Sequence, residues 1–132
     1  GSSFLDMYAG SGIMGLEALS RGFSTVVSIE KNKKVYSITK SNFKKYEEEN
    51  DLKLILGDSL KTCAKLNKKF NVIYIDPPYF SGINEQSLEV VKNLACGIVI
   101  IEHAIDVDFS GYEIIKQKKY GDKFITFLEV VG

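Results

Sequence analysis

The amino-acid sequence predicts an α/β domain built on a mostly parallel, doubly wound sheet that ends in an antiparallel hairpin. Two observations carry that expectation. Short apolar runs alternate with helical patterns over most of the 132 residues, the signature of repeated strand–helix units. Near the end, two strand-like runs follow each other directly, and a tight turn between them forces an antiparallel return. The apolar strands are nearly continuous, as in a sheet covered on both faces.

Taken in order, the first strand is FLDMYA (residues 4–9), and a glycine-rich turn leads into a helix over 13–21. TVVSIE (25–30) is the second strand. The next helix, capped by Asn32, carries Val35, Ile38, Phe43 and Tyr46 on its inner stripe, with Asn42 beside it. LKLILG (52–57) is followed by a short helix with Leu60, Cys63 and Ala64 facing inward. FNVIYID (70–76) stops at two prolines, and a helix from about Asn84 presents Leu88, Val91 and Leu94. GIVIIEHA (97–104) is the fifth strand, and the hairpin pairs 111–119 with 122–131 through Gly121-Asp122.

A hydrophobic fraction of 45% suits a single domain over 1–132. No apolar run reaches membrane-spanning length and no charged-then-apolar leader precedes the first strand, so a cytoplasmic protein away from membranes is expected. Cys63 and Cys96 are expected on separate helices as small buried thiols, in keeping with a reducing compartment. Two distant cysteines and His103 are too few for a metal site, so no metal is expected. Lysine plus arginine equals aspartate plus glutamate, 17 against 17. That balance argues against strong nucleic-acid binding by this chain alone. The lysine clusters at 31–34, 40–45, 65–69 and 116–119 read as solvated faces.

In a doubly wound sheet, ligands bind beyond the carboxyl ends of the strands, near the switch in strand order. After the first strand comes Tyr8-Ala9-Gly10-Ser11-Gly12, and Gly10, Gly12 and Gly15 form a G-x-G-x-x-G with Glu30 placed 20 residues after Gly10. Glycines allow close backbone approach, and the helix that follows aims its N-terminal amides at the same place. This pattern fits NAD as well as S-adenosylmethionine. Asp6 discriminates, because a carboxylate inside the strand calls for a cationic partner such as the amino group of S-adenosylmethionine, which NAD lacks. Glu30, next to Lys31, can accept two hydrogen bonds from ribose hydroxyls. Asp58 can contact an adenine amine, or cap the following helix with Ser59.

Asp76-Pro77-Pro78-Tyr79 closes the fourth strand. Two prolines end the ladder and fix a corner that carries a carboxylate, free carbonyls and an aromatic ring. Asp76 and the Pro77 carbonyl can accept the two hydrogens of an amine, while Tyr79 stacks on a planar base.

On these residues the sequence resembles a known family. FLDMYAGSGIMGLEALS followed by Arg21-Gly22, together with Asp76–Tyr79, is similar to the motifs of RsmD-type methyltransferases, which modify the 2-amino group of a guanine in small-subunit ribosomal RNA. The resemblance runs from Phe4 to about Val130 and implies the Rossmann-like class I methyltransferase fold, S-adenosylmethionine as cofactor, ribosomal RNA or a small-subunit intermediate as partner, and a monomer. It implies cofactor contacts from Asp6, Tyr8, Ala9, Gly10, Ser11, Gly12, Glu30, Lys31, Asp58, Ser59 and Asp76, with Asp76, Pro77, Pro78 and Tyr79 at the reacting amine. Family members carry an N-terminal basic segment that is missing here, so the chain is expected to be shortened and its independent RNA binding reduced. The corner at Asp76 also occurs in DNA adenine and cytosine methyltransferases, and protein glutamine methyltransferases place asparagine there. A non-catalytic cofactor-binding module is a further alternative.

Overall fold

The computed structural model describes residues 2–79, 81–104 and 106–131. Its elements, in chain order, are β1 (Ser3–Asp6), α1 (Ile13–Ser20), β2 (Thr25–Glu30), α2 (Lys33–Glu47), β3 (Asp51–Leu56), α3 (Ser59–Lys65), β4 (Phe70–Ile75), α4 (Ile83–Val91), β5 (Ala95–His103), β6 (Tyr112–Tyr120) and β7 (Lys123–Val130). The strands form one sheet in the order β3-β2-β1-β4-β5-β7-β6, in which β1 to β5 are parallel and β7 runs antiparallel to both β5 and β6. The expected doubly wound sheet with a terminal antiparallel hairpin is therefore present. Its order reverses between β1 and β4, which sets the loops after these two strands side by side.

Each face of the sheet has its own core. Leu5, Ile29, Ile73, Val99, Ile101 and Leu128 join Cys63, Leu88 and Val91 from α3 and α4 on one side. On the other side Phe4, Val26, Leu52 and Leu54 meet Ala18 and Phe43 from α1 and α2. Alternation along each strand produces both cores, which is why the strands read as almost unbroken apolar runs. Phe43 is fully buried; enclosing a ring of that size contributes roughly 1.5–3 kcal/mol.

The first strand departs from its expected extent for a visible reason. Only Ser3–Asp6 pair in register, after which the chain passes between neighbours: the Met7 amide donates to Tyr74 (3.0 Å) and the Ala9 amide to Ile29 (2.8 Å). On α2 the expected stripe is partly wrong. Phe43 is buried and Val35 half-buried, but Ile38 is 60% exposed and Tyr46 37%. Thr39 takes the inward place because its hydroxyl donates to the Gly10 carbonyl at 2.6 Å. Asn32 caps α2 as expected, accepting from the Lys34 and Val35 amides. On α3, Cys63 is buried and Leu60 half-buried, while Ala64 faces outward. Cys96 lies at the start of β5 rather than on a helix, and it is exposed. That strand begins two residues earlier than its apolar run, because Phe70 of β4 pairs with Ala95.

Gly12 (φ +83°) is a packing position: an added Cβ would lie 2.5 Å from the Phe43 ring and 2.7 Å from the Thr39 methyl. Gly10 (φ +54°) has nothing within 4 Å of such a Cβ. Gly12→Ala therefore combines overpacking with left-handed strain and should cost about 3 kcal/mol. Gly10→Ala carries the strain alone, about 1 kcal/mol. Urea unfolding of both variants checks this, and equal losses would contradict the assignment of Gly12 to packing.

Candidate active site at the strand switch

Two cavities meet over the corner at Asp76–Tyr79. One, of about 520 Å³, is walled by Tyr8, Gly10, Glu30, Asp58 and Leu60 and closed by Asp76–Tyr79. The other, of about 250 Å³, lies between that corner and Glu102, His103 and Lys123. Asp76, Pro77, Pro78, Tyr79, Ile83 and Lys123 border both.

The loop after β1 is fixed by polar contacts that the backbone could not supply for itself. Glu30 Oε1 accepts from the Gly10 amide (2.9 Å) and Oε2 from the Asn32 amide (2.8 Å), so one carboxylate joins this loop to the start of α2. Thr39 holds the Gly10 carbonyl from the other side. The Gly12 amide bonds back to the Ala9 carbonyl at 2.9 Å. Tyr8 lines the larger cavity with its hydroxyl 2.7 Å from Ser87 Oγ.

Asp6 lies beneath this loop, only 1% exposed, and neither carboxylate oxygen has a hydrogen-bond partner among the described residues. Burial raises its pKa to about 7; the Tyr8 amide pulls the other way without reaching hydrogen-bond geometry, and the charges of Asp76 and Glu30 add to the rise. Its register partner Ser28 has a buried hydroxyl that is likewise unpartnered among the described residues. A carboxylate in this position costs free energy unless a cation approaches it.

The sequence-derived site residues separate into groups. Tyr8, Gly10, Glu30, Lys31, Asp58, Ser59, Asp76, Pro77, Pro78 and Tyr79 all border the larger cavity. Asp6 does not line it, but the charges of Asp76 and Glu30, which do, raise the pKa of Asp6. Ala9 and Gly12 are buried in packing, and Ser11 borders an outer cleft between α1 and α2 instead. Asp58 caps α3, accepting from the Lys61 amide at 3.0 Å, and stands 3.9 Å from Lys31 Nζ. Ser59 spends its hydroxyl on the Met7 carbonyl at 2.5 Å. Burial also raises the pKa of Asp76, against the opposing charge of Lys123. Tyr79 is 74% exposed, with Lys123 Nζ 5.8 Å from its ring centre.

Four residues of the site escaped the sequence reading. Thr39 is hidden by a helical pattern that points to Ile38. Lys123 follows a turn and reads as a solvated charge, yet it faces Tyr79, Asp76 and Glu102, which together hold it protonated. Glu102 and His103 end β5, and that position was the available signal, since strand ends in this sheet carry the site. His103 is buried against Phe109 and Phe124 and bonded to Thr126 at 2.8 Å. Among the described residues no group of three or more His, Cys, Asp or Glu could hold a metal ion, and no helix is long and apolar enough to cross a membrane.

Comparison with known proteins gives the family and the fold. The family described as "Conserved hypothetical protein 95" matches residues 1–129. The chain belongs to this family. A Buchnera aphidicola relative named "Ribosomal RNA small subunit methyltransferase D" is 38% identical over 95 residues, covering 70% of this chain and 48% of its own length. "Putative rRNA methyltransferase YlbH" of Bacillus subtilis is 33% identical over 143 residues, covering 100% of this chain and 72% of its own. The chain thus spans about half the length of the Buchnera relative and more of the Bacillus one. A solved Haemophilus influenzae structure described as a putative methylase superposes with a TM-score of 0.86 at 25% identity, over 99% of this chain and 80% of that one. The sheet is accordingly that of the Rossmann-like class I methyltransferases.

The buried aspartate gives a pH dependence. Its pKa in the folded chain lies above the unfolded value of 3.8, so the unfolded chain ionises first and stability falls as pH rises from about 4 to 7. The loss reaches about 4 kcal/mol above that window. Asp6→Asn should remove it, so the stability gap between variant and wild type should widen across pH 4–8 by about that amount. Thermal unfolding across the range measures the gap, and a constant difference would contradict the burial of an unpaired carboxyl.

Proposed function

We propose that this chain is the S-adenosylmethionine-binding and catalytic core of a cytoplasmic methyltransferase that acts on the exocyclic 2-amino group of a guanine in small-subunit ribosomal RNA. The observation that carries the cofactor reading is electrostatic. Glu30, Asp58 and Asp76 line the larger cavity and Asp6 lies behind it, against Lys31 and Lys123. Such a wall favours a cationic ligand and repels the pyrophosphate of NAD. The names of the relatives favour ribosomal RNA.

When bound, the cofactor supplies a methyl group on a positively charged sulfur. Glu30 and Asp58 would hold its ribose and adenine, and the charge of Asp6 would attract its amino group. The chain's own work falls mainly to the corner at Asp76. Two successive prolines keep the Asp76 carboxylate and the Pro77 carbonyl fixed as paired acceptors for the amine hydrogens. Holding the amine at the junction of the two cavities supplies orientation, which can be worth on the order of 7–11 kcal/mol. The same two acceptors stabilise positive charge as it develops on the amine nitrogen. Asp76, whose pKa is raised by burial, or water would take the proton from the resulting ammonium. Tyr79, exposed at the rim, would stack on a base extruded from its helix.

Asp76→Ala should abolish methyl transfer while changing cofactor affinity only a few-fold. Near-normal turnover would rule out the amine contact. Calorimetry with S-adenosylmethionine and with NAD tests the cofactor, and binding of NAD alone would overturn the assignment. Radiolabelled methyl transfer to small ribosomal subunits, naked ribosomal RNA and DNA tests the substrate. Label appearing as N2-methylguanine in ribosomal RNA is expected, and label in DNA alone would exclude the reading.

A further inference from the structure

We infer that the lysine-bearing face of the β6–β7 hairpin is a docking surface for single-stranded RNA flanking the target base. The inference rests on the nucleic-acid substrate proposed above. Register defines the surface. Lys116 lies opposite Phe127, Lys118 opposite Ile125 and Tyr120 opposite Lys123, while Ile125 and Phe127 lie opposite Glu102 and Ile100 of β5. Directly paired residues project from the same face of a sheet. One row therefore runs from Glu102, which borders the smaller cavity, through Ile125 to Lys118. It spans about 10 Å at the spacing of neighbouring strands.

The charge on this hairpin is divided. Between residues 115 and 123 there are four lysines, Lys116, Lys118, Lys119 and Lys123, against the single acid Asp122. The far end instead sets Glu113 opposite Glu129. In a chain of zero formal net charge, the positive end is the one that reaches the Asp76 corner, through Lys123. Lysines that only guard an edge strand against aggregation would have no need to favour that end. Lys40 and Lys92 are ion-paired with Glu47 and Glu89, whereas Lys116 and Lys118 form no ion pair among the described residues. Aromatic rings are interleaved with the charges: Tyr120 is 56% exposed beside Lys123, and Tyr79 lies beyond it. Ile125 and Phe127 are half-buried between them. Alternating cations and exposed rings suit a strand whose phosphates and unstacked bases are both within reach.

The test compares wild type, Lys116→Gln/Lys118→Gln and, as a control on α2, Lys44→Gln/Lys45→Gln. Binding of a short single-stranded RNA is followed by fluorescence anisotropy over a salt series, with duplex RNA and single-stranded DNA as further probes. The hairpin variant should lose on the order of tenfold or more in affinity at low salt, and its log–log salt slope should become shallower by about 1.4. S-adenosylmethionine affinity should be unchanged in it, and the control should bind RNA like wild type. Hairpin-variant binding equal to wild type, an equal loss in the control, preference for duplex RNA or for DNA, or no RNA binding by wild type would each overturn the docking surface. RNA binding lost as expected, in a protein that transfers no methyl group, would leave the surface standing and refute the catalytic reading. Methyl transfer to ribosomal RNA with an unchanged KM in the hairpin variant would do the reverse.

Discussion

A buried carboxylate without a partner is the constraint on which the rest of this structure turns. Asp6 ends β1 under the glycine-rich loop, and nothing among the described residues satisfies its oxygens. A fold optimised for stability alone would place an apolar residue there. The surrounding chain is organised around the cavity that Asp6 underlies. Glu30 and Thr39 fix the loop above it, and the reversal between β1 and β4 brings Asp76 close enough for its charge to raise the pKa of Asp6. Accumulated negative charge beside an open cavity is a standing cost in the free chain and a source of affinity for a cationic ligand.

The rigid parts of the site come from elements that have little freedom. Two prolines stop β4 at Asp76, and α4 begins at Ile83, which is buried under both cavities. Gly12 and Gly15 let α1 lie close against Phe43, Thr39 and Ser28. The glycine pattern therefore has two physical origins. Gly10 faces open space at the cavity, whereas Gly12 and Gly15 are small because α2 and β2 are near. Of the two glycines expected at the ligand, Gly10 keeps that place, while Gly12, like Gly15, is a packing contact.

Most of the architecture was legible in the sequence because strand–helix alternation and the closing hairpin follow from local hydrophobic periodicity. The residues around the larger cavity were legible for a related reason: they sit at carboxyl ends of strands, where chain order alone places them. What stayed hidden depends on contacts distant in sequence. Thr39 faces inward only because Gly10 offers it a carbonyl. Lys123 reaches the Asp76 corner because β7 inserts between β5 and β6, an order that periodicity cannot reveal. Cys96 reads as helical because the pairing of Ala95 with Phe70 is not visible locally. The lysines of β6, which look like a solvated face in one dimension, gain direction only from strand register.

Under the proposed function, a cationic cofactor relieves the unpartnered charge of Asp6. Counting the protons released when S-adenosylmethionine binds tests it directly, by calorimetry near pH 7 in buffers of differing ionisation enthalpy. A carboxyl with a pKa of about 7 is half protonated there, and ionising it against a bound cation should release about half a proton per cofactor. That release should disappear in Asp6→Asn. Binding without proton release in the wild-type protein would contradict the account.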